Sequence, residues 1–195
     1  MVIMIMSTVN SGETIHKVQE VFDQADCLYT YEQVLRSIDV LANEINHVYA
    51  DKNPIVLIVM NGGLLFGGQL LARLSFPLQV DYLHASRYGE NIQGDSLEWR
   101  VKPSLNINDR AILIVDDILD EGKTLLEIIQ YCKNQGASEV MTAVLTEKTH
   151  DRKASQGLKA DFCGLALEDR FVFGFGMDYK GYWRNAPGIY AVKGL

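Results

Sequence analysis

ILIVDDILDEGKTLL, residues Ile112 to Leu126, is the stretch on which the reading of the fold turns. Ile112, Leu113, Ile114 and Val115 are apolar and mostly β-branched, the pattern of a short buried strand. The run stops at two adjacent carboxylates, Asp116 and Asp117, so polar chemistry is expected where the strand leaves its sheet. Asp120, Glu121 and the triplet Gly122-Lys123-Thr124 follow, and then Leu125, Leu126, Ile128 and Ile129 recur at helical spacing. The stretch reads as strand, acidic loop and helix start. A glycine turn at a helix N-terminus offers unpaired N–H groups and the positive end of the helix dipole, which suits a phosphate. Vicinal carboxylates would repel that phosphate, so they need another partner: sugar hydroxyls, or a divalent metal that itself carries phosphate oxygens. A phosphorylated sugar satisfies both halves of the loop.

Gly-Lys-Thr also suggests a P-loop, but that motif requires a glycine five residues before Gly122, where Asp117 stands. A Walker-B strand, the acidic pocket of a phospho-acceptor domain and a solvated strand end stay open on these residues alone.

Composition narrows the classes. A chain of 195 residues that is 48% hydrophobic and 22% charged is expected to form one globular domain, 1–195, with a substantial core. The net charge of −7 argues against a nucleic-acid-binding surface and leaves small-molecule chemistry. Cys27, Cys132 and Cys163 are odd in number and lack Cys-x-x-Cys or zinc spacing, as expected of reduced thiols in the cytoplasm. The apolar run from Met1 to Met6 is too short for a signal peptide and lacks a basic lead, and no segment approaches a membrane span.

Outward from the central stretch, a first helix is expected over Gly12 to Ala25. Thr30 can cap a longer one with Val34, Ile38, Leu41, Ile45 and Val48 on one face. Ile55 to Met60 lacks alternation and reads as a strand buried on both faces, as in a parallel sheet. It runs through Asn61-Gly62-Gly63 into a helix bearing Leu64, Leu65, Leu70 and Leu71. Paired glycines there permit close backbone approach or positive φ. Leu78 to Ala85 alternates as a strand, Ser86 to Asp95 is a polar loop that reads as a mobile lid or an exposed hairpin, and Trp99 to Lys102 is its return. Past the central helix, which Gly136 is suited to end, Val140 to Leu145 is another strand. Phe162 to Leu167, Phe171 to Phe175 and Ile189 to Val192 are shorter strand-like pieces of a small C-terminal lobe. Alternating strands and helices make the fold class α/β with a largely parallel sheet.

In this order the segments resemble the type I phosphoribosyltransferases, and among them the hypoxanthine-guanine branch. ILIVDDILDEGKTLL is similar to their motif for 5-phosphoribosyl-1-pyrophosphate. Asn61-Gly62-Gly63, the lid residues Ser86-Arg87-Tyr88, Lys148 after a strand, and Asp161-Phe162 through Arg184 with FVFGFGMDYKGYWR resemble further segments. The likeness runs from about Ile55 to the C-terminus. It implies a central mostly parallel sheet flanked by helices, with a base-binding hood lobe from the C-terminal part. It also implies purine salvage, in which ribose 5-phosphate passes to hypoxanthine or guanine and pyrophosphate is released, with Mg2+ as cofactor. A xanthine-preferring enzyme and a non-catalytic regulator that senses the activated sugar are the alternatives.

By family position, Asp116 and Asp117 would hold the ribose hydroxyls, directly or through metal water. Asp120 would exchange the purine proton, and Asp120, Glu121, Gly122, Lys123 and Thr124 would cradle the 5-phosphate. Asn61, Gly62, Gly63 and Arg184 would face pyrophosphate. Lys148, Phe171, Val172 and Asp178 would bind the purine, and Asp116, Asp117 and Asp178 would be the metal-facing acids. A lysine donor against the 6-oxo group excludes a 6-aminopurine, whose amino group would leave two donors opposed. The family also implies a homodimer or homotetramer. Departures from its pattern are Asn61, where relatives carry Lys or Arg, Glu121, where a small hydroxyl residue is common, and Glu168 in place of proline. The Glu121 carboxylate is expected to turn away from the phosphate, leaving its backbone N–H to contribute.

Overall fold

The computed structural model describes residues 11–86 and 97–194. The chain enters through helix α1 (Ser11–Gln24) and a short strand β1 (Asp26–Tyr29). Thr30 then caps helix α2 (Tyr31–Tyr49): its hydroxyl accepts from Gln33 N at 3.4 Å while the Gln33 side chain accepts from Thr30 N at 2.8 Å. This reciprocal pair satisfies two donors that the first turn would otherwise leave open. Val34, Ile38, Leu41 and Ile45 are buried on one face as their spacing predicts, and Val48 packs at its margin.

Strands β2 (Ile55–Met60), β3 (Gln79–Ser86), β4 (Glu98–Val101), β5 (Ala111–Leu119), β6 (Glu139–Lys148) and β7 (Phe162–Leu167) form a sheet in the order β4-β3-β2-β5-β6-β7. Every pairing is parallel except β3 with β4. Helix α3 (Gly63–Leu71) follows β2 and helix α4 (Lys123–Asn134) follows β5. The unalternating apolar runs have the predicted cause. Val56 and Ile58 of β2 and Leu113 and Val115 of β5 enter the core shared with α2 and α3, while Ile55, Leu57, Ile112 and Ile114 enter a second core against α4. Gly136, at φ +84°, sits just past the end of α4 as expected.

Several boundaries differ from the sequence expectation. The β5 strand does not stop at Asp116 but continues to Leu119, because it stays paired with β6 as far as Leu119↔Glu147. Its pairing with β2 ends at Ile58↔Val115. The two central strands therefore part just before the acidic pair. From there the chain leaves β2 toward β3 on one side and β5 toward β6 on the other. That divergence is the topological switch point at which open α/β sheets bind ligands. Strand β6 likewise runs on to Lys148, so that lysine ends a strand instead of following one.

A second, antiparallel sheet has the order β1-β9-β8, with β8 (Val172–Phe173) and β9 (Ile189–Ala191) both shorter than their apolar runs suggest. The β1 strand was not expected from sequence; its four residues lack a pattern, and pairing with β9 supplies the order. Val172, Phe175, Met177, Ile189 and Ala191 share the core of α2. Ser86 closes β3, whereas Arg87, Tyr88 and the rest of the expected lid to residue 96 lie outside the described residues.

Candidate active site

Two adjoining cavities occupy the switch point. The larger, about 630 Å³, is floored by Asp116 and Asp117 and walled by Asn61-Gly62, the loop from Asp120 to Thr124, Asp178 and Arg184. The smaller, about 230 Å³, is bounded by Lys148, Phe171, Val172 and Met177, and it shares Asp117, Ile118, Asp120 and Asp178 with the first. Most of the sequence-predicted residues thus converge on one place.

The loop after β5 is shaped by Gly122, which takes φ +83° at the head of α4. No side chain caps that helix, so its first N–H groups face the larger cavity's loop without a side-chain acceptor. Glu121 answers the electrostatic difficulty of an acid in this loop by turning to Lys123, with 3.0 Å between Oε2 and Nζ. This ion pair is the partner the structure gives the Glu121 carboxylate, whose role the sequence left open.

Gly62 and Gly63 have no positive φ; close approach is what they provide. A Cβ on Gly62 would lie 2.1 Å from Asp117 Oδ2, and one on Gly63 would lie 2.7 Å from the Val115 carbonyl oxygen. Across the cleft, Gly176 packs so closely that its Cβ would fall 2.2 Å from the Gly62 carbonyl oxygen. The glycine loop is therefore held between the acid pair and the small sheet's turn.

Asp117 is buried, and Thr146 from β6 donates to its carbonyl oxygen at 3.0 Å. Burial, followed by repulsion from Asp117, raises the Asp116 carboxyl well above its ordinary range. The Asp117 carboxyl is also raised by burial, against the opposing pull of its hydrogen bond to Asp116 and the Arg184 charge. Arg184 itself is engaged with Asp178 at 2.5 Å and with the Gly176 carbonyl oxygen at 2.5 Å. Asp178 uses its second oxygen to accept from Gly181 N at 2.7 Å. Of the three expected metal-facing acids, Asp116 and Asp117 lack a bound cationic side chain in these contacts, whereas Asp178 already holds one.

At the smaller cavity, Lys148 is buried and its Nζ sits 2.8 Å from Asp120 Oδ2. His150 Nε2 lies 2.7 Å from Asp120 Oδ1. Burial works to raise the Asp120 carboxyl, but the hydrogen bonds from Lys148 and His150 prevail and hold it below the ordinary range. The Asp120 carboxyl therefore stands ionised beside its two donors. Phe171 is 45% exposed at the cavity wall, with its ring edge-on to Tyr179 at 5.8 Å, so it is not the core residue its strand context suggests. Val172, beside it, is buried in β8.

Over residues 24–180 the sequence matches the phosphoribosyl transferase domain. The chain belongs to this family. It is 31% identical over 166 residues to the hypoxanthine-guanine-xanthine phosphoribosyltransferase of Tritrichomonas foetus, covering 85% of this chain and 90% of that one. It is 32% identical to the hypoxanthine-guanine phosphoribosyltransferase of Bacillus subtilis, covering 85% of this chain and 92% of the relative. A solved hypoxanthine phosphoribosyltransferase from Staphylococcus aureus superposes with a TM-score of 0.80 at 25% identity, over 86% of this chain and 91% of that one.

Within this phosphoribosyl transferase domain, sequence reasoning missed His84 and Arg100, which line the larger cavity from β3 and β4, and His150 and Asp169 beside the smaller one. Strand pairing brings His84 and Arg100 in, and no local pattern announces it. His150 carried a usable signal, since it stands two residues beyond Lys148. Among the described residues, Asp120, His150 and Asp169 place ligand atoms within 4.8 Å of one another. Lys148 and Arg152 are already paired with these carboxylates, so the group reads as a hydrogen-bonded network.

Proposed function

We propose that this chain transfers ribose 5-phosphate from 5-phosphoribosyl-1-pyrophosphate to hypoxanthine or guanine, releasing pyrophosphate and giving IMP or GMP. The observation that carries the reading is the pair of joined cavities: one has acids and an uncapped helix start, the other has a lysine and an aromatic face, and Asp120 borders both. The names of the relatives at 31% and 32% identity support the same substrates.

On this reading the 5-phosphate rests on the amides of Gly122, Lys123 and Thr124 at the start of α4, and Asp116 and Asp117 face the ribose. The purine lies against Phe171 with Val172 at its polar edge and Lys148 toward the 6-oxo group. Lys148 spends one of its three donors on Asp120 and keeps others for that oxygen. As a purine ring nitrogen bonds to the ribose carbon, the carbon's bond to pyrophosphate breaks and its electron pair leaves on the pyrophosphate oxygen. The second nitrogen of the five-membered ring then becomes acidic and gives its proton to Asp120. A firmly ionised Asp120 suits so acidic a donor. Arg184 and the Gly62-Gly63 amides face the departing pyrophosphate.

The raised carboxyls of Asp116 and Asp117 fit a divalent cation, which would relieve both burial and mutual repulsion. We assign Mg2+ to this pair; when bound it supplies positive charge to the pyrophosphate oxygens. Asp178 is a positioning group for Arg184 as well as a wall of the purine cavity. The small sheet serves as the hood, and the two sheets act as one domain because they share a core. A cytoplasmic homodimer or homotetramer is the accompanying proposal, tested by sedimentation of the purified chain.

The test is ultraviolet-monitored conversion of each base with the activated sugar and Mg2+. Nucleotide is expected from hypoxanthine and guanine, and none from either would sink the proposal. Xanthine belongs in the same assay because the Tritrichomonas foetus relative's name includes it. Asp120→Asn should lower kcat by about 10²-fold or more while leaving KM for the activated sugar nearly unchanged. Wild-type turnover in that variant would remove the role given to Asp120.

A further inference from the structure

His150 is the least exposed polar side chain around Asp120, at 5%. It sits in the loop after β6, and each of its two ring nitrogens has a defined partner. The Arg152 backbone N–H donates to His150 Nδ1 at 3.1 Å, which makes Nδ1 an acceptor and leaves Nε2 as the ring's N–H. That Nε2 faces Asp120 Oδ1 at 2.7 Å. The loop carrying the histidine is itself tied down, because the Arg152 guanidinium makes hydrogen bonds of 2.5 and 3.0 Å to Asp169. Asp169 in turn lies 3.8 Å from Lys148 Nζ, which closes a ring from Asp120 through Lys148, Asp169, Arg152 and His150 back to Asp120.

We propose that His150 is a positioning residue for the transfer reaction: its Nε2–H pins Oδ1 of Asp120 so that the carboxylate stays oriented while Lys148 engages the purine. The inference rests on the proposed role of Asp120 as acceptor of the purine proton. Two anchors on two different oxygens stop the carboxylate from rotating, where one would leave it a pivot. Lys148 is shared with the 6-oxo group when a purine is present, so it is the anchor that can be drawn away. His150 lines neither of the two site cavities, so a substrate seated in them does not draw it from Asp120. Each carboxylate oxygen keeps a further lone pair for the incoming proton. The histidine is no end point for that proton, since Nε2 already carries one and Nδ1 is occupied by Arg152 N–H. Its contribution is orientation, together with stabilisation of the ionised carboxylate.

The charged and titratable groups around Asp120 are Lys148 from β6, His150 and Arg152 from the loop that follows, Glu121 on its own loop and Asp169 before β8. Loss of His150 removes one of the donors that depress the Asp120 carboxyl, so the acid limb of the kcat profile should move to higher pH.

The experiment has two readouts on the full chain. Nitrogen-15 NMR of the histidine-labelled wild-type protein, with His150 assigned by its loss in H150Q, should show the Nε2–H tautomer. An Nδ1–H tautomer overturns the proposal whatever the activity. In kinetics, H150A should lose about tenfold in kcat with KM for the activated sugar held within about twofold. Its acid limb should shift upward, and H150Q, which keeps an N–H donor near the same place, should recover most of the loss. H150F, which fills the volume without a donor, stands in if H150A does not fold. Wild-type kcat with an unmoved acid limb in a folded donor-free variant overturns the proposal, as does H150Q no better than that variant. An inactive wild-type protein would instead fail the proposed function, with the tautomer still deciding the geometry.

Discussion

Asp116 and Asp117 sit side by side where β5 parts from β2, with Gly62 close enough that no Cβ fits between. Burial and the neighbouring charge raise the Asp116 carboxyl, so the folded state holds its proton more tightly than the unfolded chain, where an aspartate titrates at about 3.9. The sign of the linkage follows. As pH rises from the unfolded value through the raised folded value, the unfolded state binds fewer protons than the folded state, and stability falls. Asp116→Asn cannot ionise, and its amide oxygen can still accept the Asp117 N–H that now bonds Asp116 at 2.9 Å. The variant's melting temperature should match the wild type at low pH and exceed it by a few degrees at neutral pH, at about 2–4 °C per kcal/mol for a chain of this size. Activity should fall in the same protein, a site residue exchanging stability for function. Equal melting curves at neutral pH would show that the acid pair carries no strain in the free protein. The acids themselves were legible because charge at the end of an apolar strand is costly without a purpose. Their raised proton affinity was not, because its first cause is burial, which parts of the chain distant in sequence create, among them Gly62 packed against Asp117.

At the scale of elements, period and apolarity located α2, α4, β2 and β5, yet the ends that form the site were displaced. Phe162 to Leu167, read as part of the C-terminal lobe, is instead the edge strand β7 of the main sheet, because it pairs in parallel with β6. An apolar run marks where a strand is buried, whereas the strand persists as long as a neighbour's backbone pairs with it; β6 carries β5 through its acids to Leu119. Likewise β1 and β8 exist through their pairing with β9 more than through their own residues. The Asn61-Gly62-Gly63 turn was legible as glycine-dependent, although the reason is an approach to Asp117 and to Gly176 and not a left-handed backbone. Gly62→Ala tests this. Its methyl would meet the Asp117 carboxylate at 2.1 Å, so the loop or the acid must shift. We expect a loss of about 1–3 kcal/mol in stability, measured by denaturant melts. A rise in KM for the activated sugar should exceed any rise for the purine, because Phe171 and Lys148 lie beyond the displaced loop. Selective loss of purine affinity would place the strain elsewhere.

Across the whole molecule, α1 touches the turn that bears Arg184 although it lies far from it in sequence and carried no motif. Trp183 donates from Nε1 to the Val18 carbonyl oxygen at 2.8 Å, and its ring stacks on Phe22 at 4.6 Å. Phe22 also meets Tyr190 of β9 at 5.0 Å and Phe173 of β8 at 6.2 Å. Trp183 holds φ +64°, a conformation a bulky residue adopts only when its surroundings impose it. The next residue is Arg184, whose contacts to Asp178 and Gly176 aim it into the larger cavity. Helix α1 therefore braces the turn that presents Arg184 to the larger cavity, and the small sheet is joined to the larger one through their common core. Phe22→Ala should remove about 1–2 kcal/mol of stability, in keeping with a half-buried aromatic ring. With Trp183 released, KM for the activated sugar should rise several-fold while KM for hypoxanthine changes less, since the smaller cavity meets this turn only at Met177 and Asp178 and is otherwise bounded by β5 and the loop after it, Lys148, Phe171 and Val172. Steady-state kinetics at a temperature well below the variant's melting point separates this effect from unfolding. A destabilised Phe22→Ala protein with wild-type KM for the activated sugar would mean that Arg184 is held by Asp178 and Gly176 alone.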